Sequence, residues 1–93
     1  MFKILYHEEV VKKDIPKLGA ERKAKIGAAI ETKLTTRPEV YGKPLRPSLK
    51  HYRKLRVGDY RVIFRIENQQ VKIFVIQHRS RVYSSAAKRV GTT

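Results

Sequence analysis

Residues 52–64, YRKLRVGDYRVIF, decide the fold, because two runs of alternating polarity flank one tight turn. Alternation with a period of two is typical of strands that bury one face, and Gly58-Asp59 stands where a two-residue hairpin turn belongs. Such a turn sets the register of the whole hairpin. The predicted pairs are Val57 with Tyr60, Leu55 with Val62 and Arg53 with Phe64.

A third strand continues the pattern after a second turn at Asn68-Gln69. The three predicted antiparallel strands are Tyr52–Val57, Tyr60–Glu67 and Gln70–Gln77, with Phe64 facing Ile73 and Val62 facing Val75. One face of this meander is apolar and is the predicted core: Leu55, Val57, Tyr60, Val62, Phe64, Val71, Ile73 and Val75. The opposite face carries Tyr52, Lys54, Arg56, Arg61, Ile63, Arg65, Lys72, Phe74, Ile76 and His78.

Two amphipathic helices are predicted ahead of the meander to cover the apolar face. The first spans Glu8 to Leu18, with Val11, Ile15 and Leu18 at helical spacing and a kink or end at Pro16. The remaining predicted elements are a strand at Phe2–His7, a helix at Ala20–Thr36 with Ile26, Ala29, Ile30 and Leu34 on one stripe, a loop over residues 37–49, and a short helix within Ser80–Val90. The predicted fold is α+β, in the order β-α-α-β-β-β with a short C-terminal helix, an antiparallel sheet packed on two helices.

Charge is the strongest signal in the composition. The 93 residues, enough for one domain over residues 1–93, include 22 Lys and Arg against 8 Asp and Glu, a net charge of +14. The cations occur along the whole chain, which indicates a polyanionic partner: nucleic acid first, with an acidic protein as the alternative. Lack of cysteine, of a signal peptide and of a membrane span predicts a cytoplasmic protein with no membrane partner.

The mixed character of the opposite sheet face favours binding over simple solvation. Arg56 and Arg61 are predicted cross-strand neighbours, and like charges in that position destabilise a sheet. Ile63, Phe74 and Ile76 on the same face would be bare to water without a partner. Cations interleaved with aromatic rings suit phosphates and stacked bases, and equally an amphipathic acidic segment.

Few catalytic schemes fit the residues available. The three histidines lack ligand partners in sequence, and there is no phosphate-binding glycine loop and no carboxylate pair, so no metal or other cofactor is predicted. A phosphate-directed set remains: Arg53, Lys54, Arg56, Arg61, Arg79, Arg81 and Tyr83. RNA can be cut without metal because its own 2′-hydroxyl attacks the neighbouring phosphorus. Arginines can hold the charge that develops there, while a lysine or tyrosine among cations can transfer protons.

The order of these segments resembles the RelE/ParE toxin superfamily. Residues 52–64 look like its central hairpin, residues 45–49 like the loop before it, and Val75-Ile76-Gln77-His78-Arg79-Ser80-Arg81-Val82-Tyr83 like its last strand and ending. The resemblance implies a ribonuclease-like α+β domain that an acidic antitoxin wraps and inhibits in a hetero-oligomer. RelE-like members cut messenger RNA in the ribosomal A site, whereas ParE-like members inhibit DNA gyrase and generally lack the catalytic set.

The resemblance also implies a set of site residues. The catalytic candidates are Lys54, Arg61, Arg79, Arg81 and Tyr83, and the RNA-binding candidates are Arg53, Arg56, Arg65, Lys72, Phe74 and His78. A Lys-x-Lys pair is common in the family, and Arg53 is the only nearby counterpart of its first lysine, so the identity of the general base stays open. The retained catalytic set favours a ribosome-dependent ribonuclease with ribosome and messenger RNA as partners. The antitoxin is expected to cover the Lys54/Arg61 face or to displace the C-terminal tail from it.

Overall fold

A five-stranded mixed sheet carries helices on both of its faces. The computed structural model describes residues 1–45 and 51–90, so residues 46–49 of the predicted loop lie outside it. The strands are β1 (Lys3–Tyr6), β2 (Lys43–Pro44), β3 (Tyr52–Val57), β4 (Tyr60–Glu67) and β5 (Gln70–His78), in the spatial order β1-β5-β4-β3-β2. The predicted α+β class is confirmed; β1 joins the sheet parallel to β5, and the other pairs are antiparallel.

The helices are shorter and less regular than predicted. They are α1 (Ala20–Ala29), which continues into a π-helical turn (Ile30–Leu34), α2 (Pro38–Tyr41) inside the predicted loop, and α3 (Val82–Val90). The predicted first helix consists instead of a π-helical turn (Val10–Asp14) and a 3-10 turn (Ile15–Lys17), here called the N-terminal helical segment. In the part of the chain that is described, each helix is too short or too polar to cross a lipid bilayer.

The irregular turn changes which side of the N-terminal helical segment is buried. The predicted core residue Val11 is 54% exposed, while Val10 and Asp14 are buried. A π turn has more residues per turn than an α-helix, so the predicted spacing of three and four residues does not hold there. The stripe of the second helix is confirmed, because Ile26 and Ile30, with Leu34, pack into the core.

The register of the first hairpin is as predicted, and that of the second is shifted at one residue. All pairs from Val57↔Tyr60 to Arg53↔Phe64 are observed, and so is Phe64↔Ile73. Beyond that pair, Ile63 lies opposite Val75, so Phe74 is the extra residue of a β-bulge. The predicted pair of Val62 with Val75 is therefore wrong: Val62 lies opposite Ile76.

The bulge exchanges side chains between the two sheet faces. Val75 is predicted in the main core with Ile26 and Ile30 of the second helix, but it packs with Phe74 on the other face of the sheet. Ile76 takes a place in the main core instead. The other face is covered as well, because Val82 and Ala86 of α3 bury Ile63 and Phe74. The prediction that these apolar side chains are exposed is thus wrong, since the chain's own C-terminal helix removes them from water.

A buried ion pair closes the open edge of β5. β1 pairs only with residues 70–73, and beyond them the edge is met by the carboxylate of Asp14. Asp14 Oδ2 accepts hydrogen bonds from the Ile76 backbone N–H at 2.9 Å and from Arg89 Nη1 at 2.7 Å. Arg89 Nη1 also donates to the Phe74 carbonyl at 2.8 Å, and Asp14 Oδ1 accepts from Gln77 Nε2 at 3.0 Å. The pair therefore ties α3 and the N-terminal helical segment to the same strand.

Removal of one partner should show how much this ion pair contributes to the stability of the fold. In Arg89→Met the Asp14 carboxylate, whose side chain is 1% exposed, loses its counter-ion, so we expect a loss of about 3–5 kcal/mol in the free energy of unfolding. Urea denaturation measures it. Lys25→Gln is the matched control, because Lys25 and Glu21 form an exposed pair at 3.8 Å and its loss should cost under about 0.5 kcal/mol. Equal losses in the two variants would contradict this description of the β5 edge.

A second prediction concerns Gly42, which lies just after α2. An added Cβ would clash with Cζ of Phe64, a fully buried ring in a packed core. Gly42→Ala should therefore lower the free energy of unfolding by about 1–3 kcal/mol or more. Gly27→Ala in α1 has open space around the new atom and should raise it by about 0.5–1 kcal/mol. Thermal unfolding of both variants checks the pair, and a neutral Gly42→Ala would refute the close approach to Phe64.

Candidate active site

A lysine and a tyrosine that are distant in sequence meet on the α3 side of the sheet. Lys54 lies in the middle of β3, and its Nζ donates a hydrogen bond to the phenolic oxygen of Tyr83 at 3.0 Å. The ammonium also lies 5.5 Å from the centroid of the Tyr83 ring. Tyr83 is the second residue of α3, where the buried Val82 anchors the helix start to the sheet. Both side chains are half-buried, so the pair is held in place and still reaches solvent.

Arginines gather at the turn end of the same region. Arg56 and Arg61 are direct cross-strand partners, as the sequence predicts. Arg61 Nη1 donates to the Gly58 carbonyl at 3.0 Å and to the Tyr60 carbonyl at 2.9 Å, which fixes its guanidinium against the turn. This placement gives one of the two like charges its own hydrogen-bond acceptors.

The segment between β5 and α3 brings two more arginines to this end of the sheet. The backbone N–H of Arg79 donates to the Asp59 carbonyl in the hairpin turn at 2.9 Å. The N–H of Arg81 donates to the His78 carbonyl at 2.9 Å and so leads directly into α3. The side chains of both arginines are exposed. A phosphate at this end of the sheet would therefore meet several cations.

Three predicted RNA-binding residues are not available to RNA on the α3 face, and for Arg53 the predicted pair with Phe64 already puts the side chain on the other face. Arg53 lies on the sheet face opposite α3 and donates a hydrogen bond from Nη1 to the Gly42 carbonyl at 2.9 Å, which holds the segment after α2. Phe74 is 6% exposed and cannot offer a free face for a stacked base. The bulge reverses the alternation of β5, so His78 lies on the sheet face opposite α3. The centroid of its ring lies 5.6 Å from that of Tyr60, and the two rings are nearly perpendicular.

Arg65 and Lys72 share one acidic neighbour. Glu67 Oε2 lies 2.7 Å from Arg65 Nη2 and 2.9 Å from Lys72 Nζ. Hydrogen bonds from Lys72 and Arg65 lower the pKa of the Glu67 carboxyl below its ordinary value. Arg65 also donates to the Tyr52 hydroxyl at 3.3 Å. These two cations are thus partly neutralised by Glu67.

Sequence reasoning missed the residues that support the site. Asp14 and Arg89 are 75 positions apart, and nothing in the sequence connects them. His7 follows β1, accepts a hydrogen bond at Nδ1 from the Glu9 N–H at 3.0 Å, and lies 5.5 Å from the Phe74 ring. A lone histidine after a strand carries no signal of that contact.

Comparison with known proteins matches the chain to a family of toxins. Residues 6–83 match the family described as the ParE toxin of the type II toxin–antitoxin system parDE. A chain of the RelBE2 toxin–antitoxin complex of Mycobacterium tuberculosis is 27% identical, with 84% of this chain and 98% of that chain covered and a TM-score of 0.71. No curated protein is similar enough in sequence to count as a match.

Two further solved structures share the fold. The isolated RelE toxin of E. coli is 22% identical, with 97% of this chain and 99% of that chain covered and a TM-score of 0.67. A chain of the RelB–RelE antitoxin–toxin complex of Methanococcus jannaschii is 19% identical, with coverages of 85% and 94% and a TM-score of 0.68. The likeness extends over nearly the full length of all three structures.

Proposed function

The chain belongs to the RelE/ParE superfamily of type II toxins, through the ParE toxin family that matches residues 6–83, and from this premise we propose that it is a metal-independent endoribonuclease that cuts messenger RNA in the ribosomal A site. The observation that carries the proposal is the hydrogen bond between Lys54 Nζ and the Tyr83 hydroxyl at 3.0 Å. It joins two groups that can transfer protons, next to a cluster of arginines.

The proposed reaction uses the RNA itself as the nucleophile. The 2′-hydroxyl oxygen attacks the neighbouring phosphorus, the bond from phosphorus to the 5′ oxygen breaks, and a 2′,3′-cyclic phosphate and a 5′-hydroxyl result. One proton leaves the 2′ oxygen and one reaches the 5′ oxygen; the Lys54–Tyr83 pair performs these transfers. Arg61, Arg79 and Arg81 neutralise the negative charge that grows on the phosphoryl oxygens.

A second candidate function follows from the name of the matching family. ParE-like toxins of the superfamily inhibit DNA gyrase by binding, without nuclease chemistry, and the family that matches residues 6–83 is described as a ParE toxin. In that case the basic surface would contact gyrase, and the Lys54–Tyr83 contact would only help to hold α3. Loss of the Tyr83 hydroxyl then separates the two functions.

We also propose an acidic antitoxin as the partner that silences this protein. The net charge of +14 calls for a negatively charged partner, and two of the similar structures are complexes of a toxin with its antitoxin. Ile63 and Phe74 are already covered by α3. An antitoxin segment that reaches those side chains must therefore displace α3, whereas one that occludes only the Lys54 side of the sheet can bind beside it.

Tyr83→Phe tests proton transfer with the ring kept in place. The ring keeps its packing against the small core beneath α3 and against Lys54, and only the hydroxyl that bonds to Lys54 is lost, so cleavage should fall by about 10²-fold or more with an unchanged melting temperature. The measurement is the rate of cleavage of ribosome-bound messenger RNA. Tyr41→Phe on α2 is the matched control and should be silent, because the exposed Tyr41 ring lies beside Lys33, 5.5 Å from its Nζ. Full cleavage by both Tyr83→Phe and Arg61→Ala would contradict these catalytic roles, and growth inhibition without any cleavage by the wild-type protein would favour the gyrase candidate.

A modified substrate tests the nucleophile. With a 2′-O-methyl group at the cut position the attacking hydroxyl is absent, so cleavage there should stop while binding persists. With unmodified RNA, the upstream fragment should end in a 2′,3′-cyclic or 3′ phosphate, which mass spectrometry identifies. Cleavage at the methylated position, or an upstream fragment with a 3′-hydroxyl, would contradict attack by the 2′ oxygen.

A further inference from the structure

A basic cleft opens on the α3 side of the sheet, at the end away from the arginine cluster. It has a volume of about 470 Å³, within the range of small-ligand sites, and we call it the β1–β5 cleft. Its walls combine apolar and basic side chains: Leu5, Tyr6, His7, Arg65, Lys72, Ile73 and Phe74. None of these is acidic, so an anion that enters meets only neutral or basic groups on the walls.

The cations of the cleft stand in register on neighbouring strands. Arg65 of β4 lies opposite Lys72 of β5, and Lys72 lies opposite Leu5 of β1. Adjacent strands are about 4.8 Å apart, so Arg65 and Lys72 can contact one anion together. His7 adds a third basic group, an imidazole whose ring centroid lies 5.5 Å from that of Phe74. Since His7 Nδ1 already accepts the Glu9 N–H, the proton of the neutral ring is on Nε2, which leaves a donor nitrogen.

Arg65 has a donor that the described residues leave unused. Its Nε is buried and has no hydrogen-bond partner in the described part of the chain. A buried donor without an acceptor costs stability, and most such groups in proteins are satisfied. The guanidinium lies 5.5 Å over the Phe74 ring and 5.4 Å over the Tyr52 ring, which hold it in position. Arg65 Nη1 and Nη2 each carry a second N–H, beside those that bond to Tyr52 and Glu67, and these are the donors from which a phosphate oxygen in the cleft would accept hydrogen bonds.

The cleft continues the surface of the candidate active site. Tyr52, which pairs with Arg65, and Lys54 are two residues apart on β3 and face the same way. Two residues along a strand correspond to about 7 Å, so the cleft begins one side-chain row from the Lys54–Tyr83 pair. Tyr52 and Phe74 between the two sites are covered by α3, so a strand of RNA cut at the Lys54–Tyr83 pair would reach the cleft by passing along the edge of that helix.

We propose that the β1–β5 cleft binds the phosphate of a nucleotide flanking the cleavage position, through Arg65, Lys72 and His7. The inference rests on the proposed ribonuclease function and extends it to the path of the RNA strand. Glu67, which bonds to both Arg65 and Lys72 from outside the cleft wall, competes with the phosphate for these cations. Glu67 therefore lowers the affinity of the cleft for a phosphate that has no further contact at Lys54.

The test is equilibrium binding of a short fluorescent RNA, 2′-O-methylated throughout so that it cannot be cut, to the full chain over a range of salt concentrations. Lys72→Gln removes one phosphate contact and should reduce the magnitude of the log–log salt slope by about 0.7. Lys25→Gln is the control, since it also removes one charge from an exposed ion pair but lies on α1. It should leave the slope unchanged.

Glu67→Gln gives a test with the opposite sign. It removes the competing carboxylate, so RNA should bind more tightly than to Glu21→Gln, which removes the same charge from α1. Equal slopes for Lys72→Gln and Lys25→Gln, equal affinities for Glu67→Gln and Glu21→Gln, or no RNA binding at all would overturn the cleft proposal. Cleavage on ribosomes is measured separately. If the protein cleaves messenger RNA but the cleft variants bind RNA like their controls, only the cleft proposal is overturned. If the cleft variants change RNA binding as expected but the protein does not cleave, only the proposed nuclease function is overturned.

Discussion

The buried ion pair of Asp14 and Arg89 is the contact on which the arrangement of this domain depends. It joins residues 75 positions apart and supplies hydrogen-bond partners for the stretch of β5 that β1 does not reach. Because Arg89 is near the end of α3 and Tyr83 near its start, the same contact keeps the helix on the sheet that presents Lys54. A chain with only 8 acidic residues thus uses one of them, fully buried, to hold its C-terminal helix.

The C-terminal helix α3 determines which parts of the sheet face beneath it are open to a ligand. Alternation in the sequence shows that Ile63 and Phe74 point away from the main core, but it cannot show what lies above them. α3 covers them with Val82 and Ala86, so the face is a second small core with a basic rim and not an open apolar surface. The sites available to RNA or to a partner are consequently at the two ends of the face: the Lys54–Tyr83 end, with its arginines, and the β1–β5 cleft.

How far the sequence predicts the structure depends on the turns. The β3–β4 hairpin is predicted pair by pair, down to Arg56 opposite Arg61, because a two-residue turn leaves one register. The second hairpin is predicted only as far as Phe64 opposite Ile73, since a bulge adds a residue without any change in the polarity pattern. Val75, Ile76 and His78 were therefore assigned to the wrong faces. For the site, the pattern placed Lys54 on the correct face, and the family resemblance pointed to Tyr83; their contact depends on α3, which residue spacing alone cannot position.

The proposed activity of the Lys54–Tyr83 end of the sheet is cleavage of messenger RNA on the ribosome. The most direct measurement is translation of one defined messenger RNA in a purified system with the wild-type protein, with 3′ ends mapped to the nucleotide and gyrase supercoiling assayed in parallel. Cleavage on the ribosome predicts new 3′ ends within ribosome-occupied codons, none at those positions on the same RNA without ribosomes, and undiminished supercoiling. Intact messenger RNA together with inhibited supercoiling would contradict it.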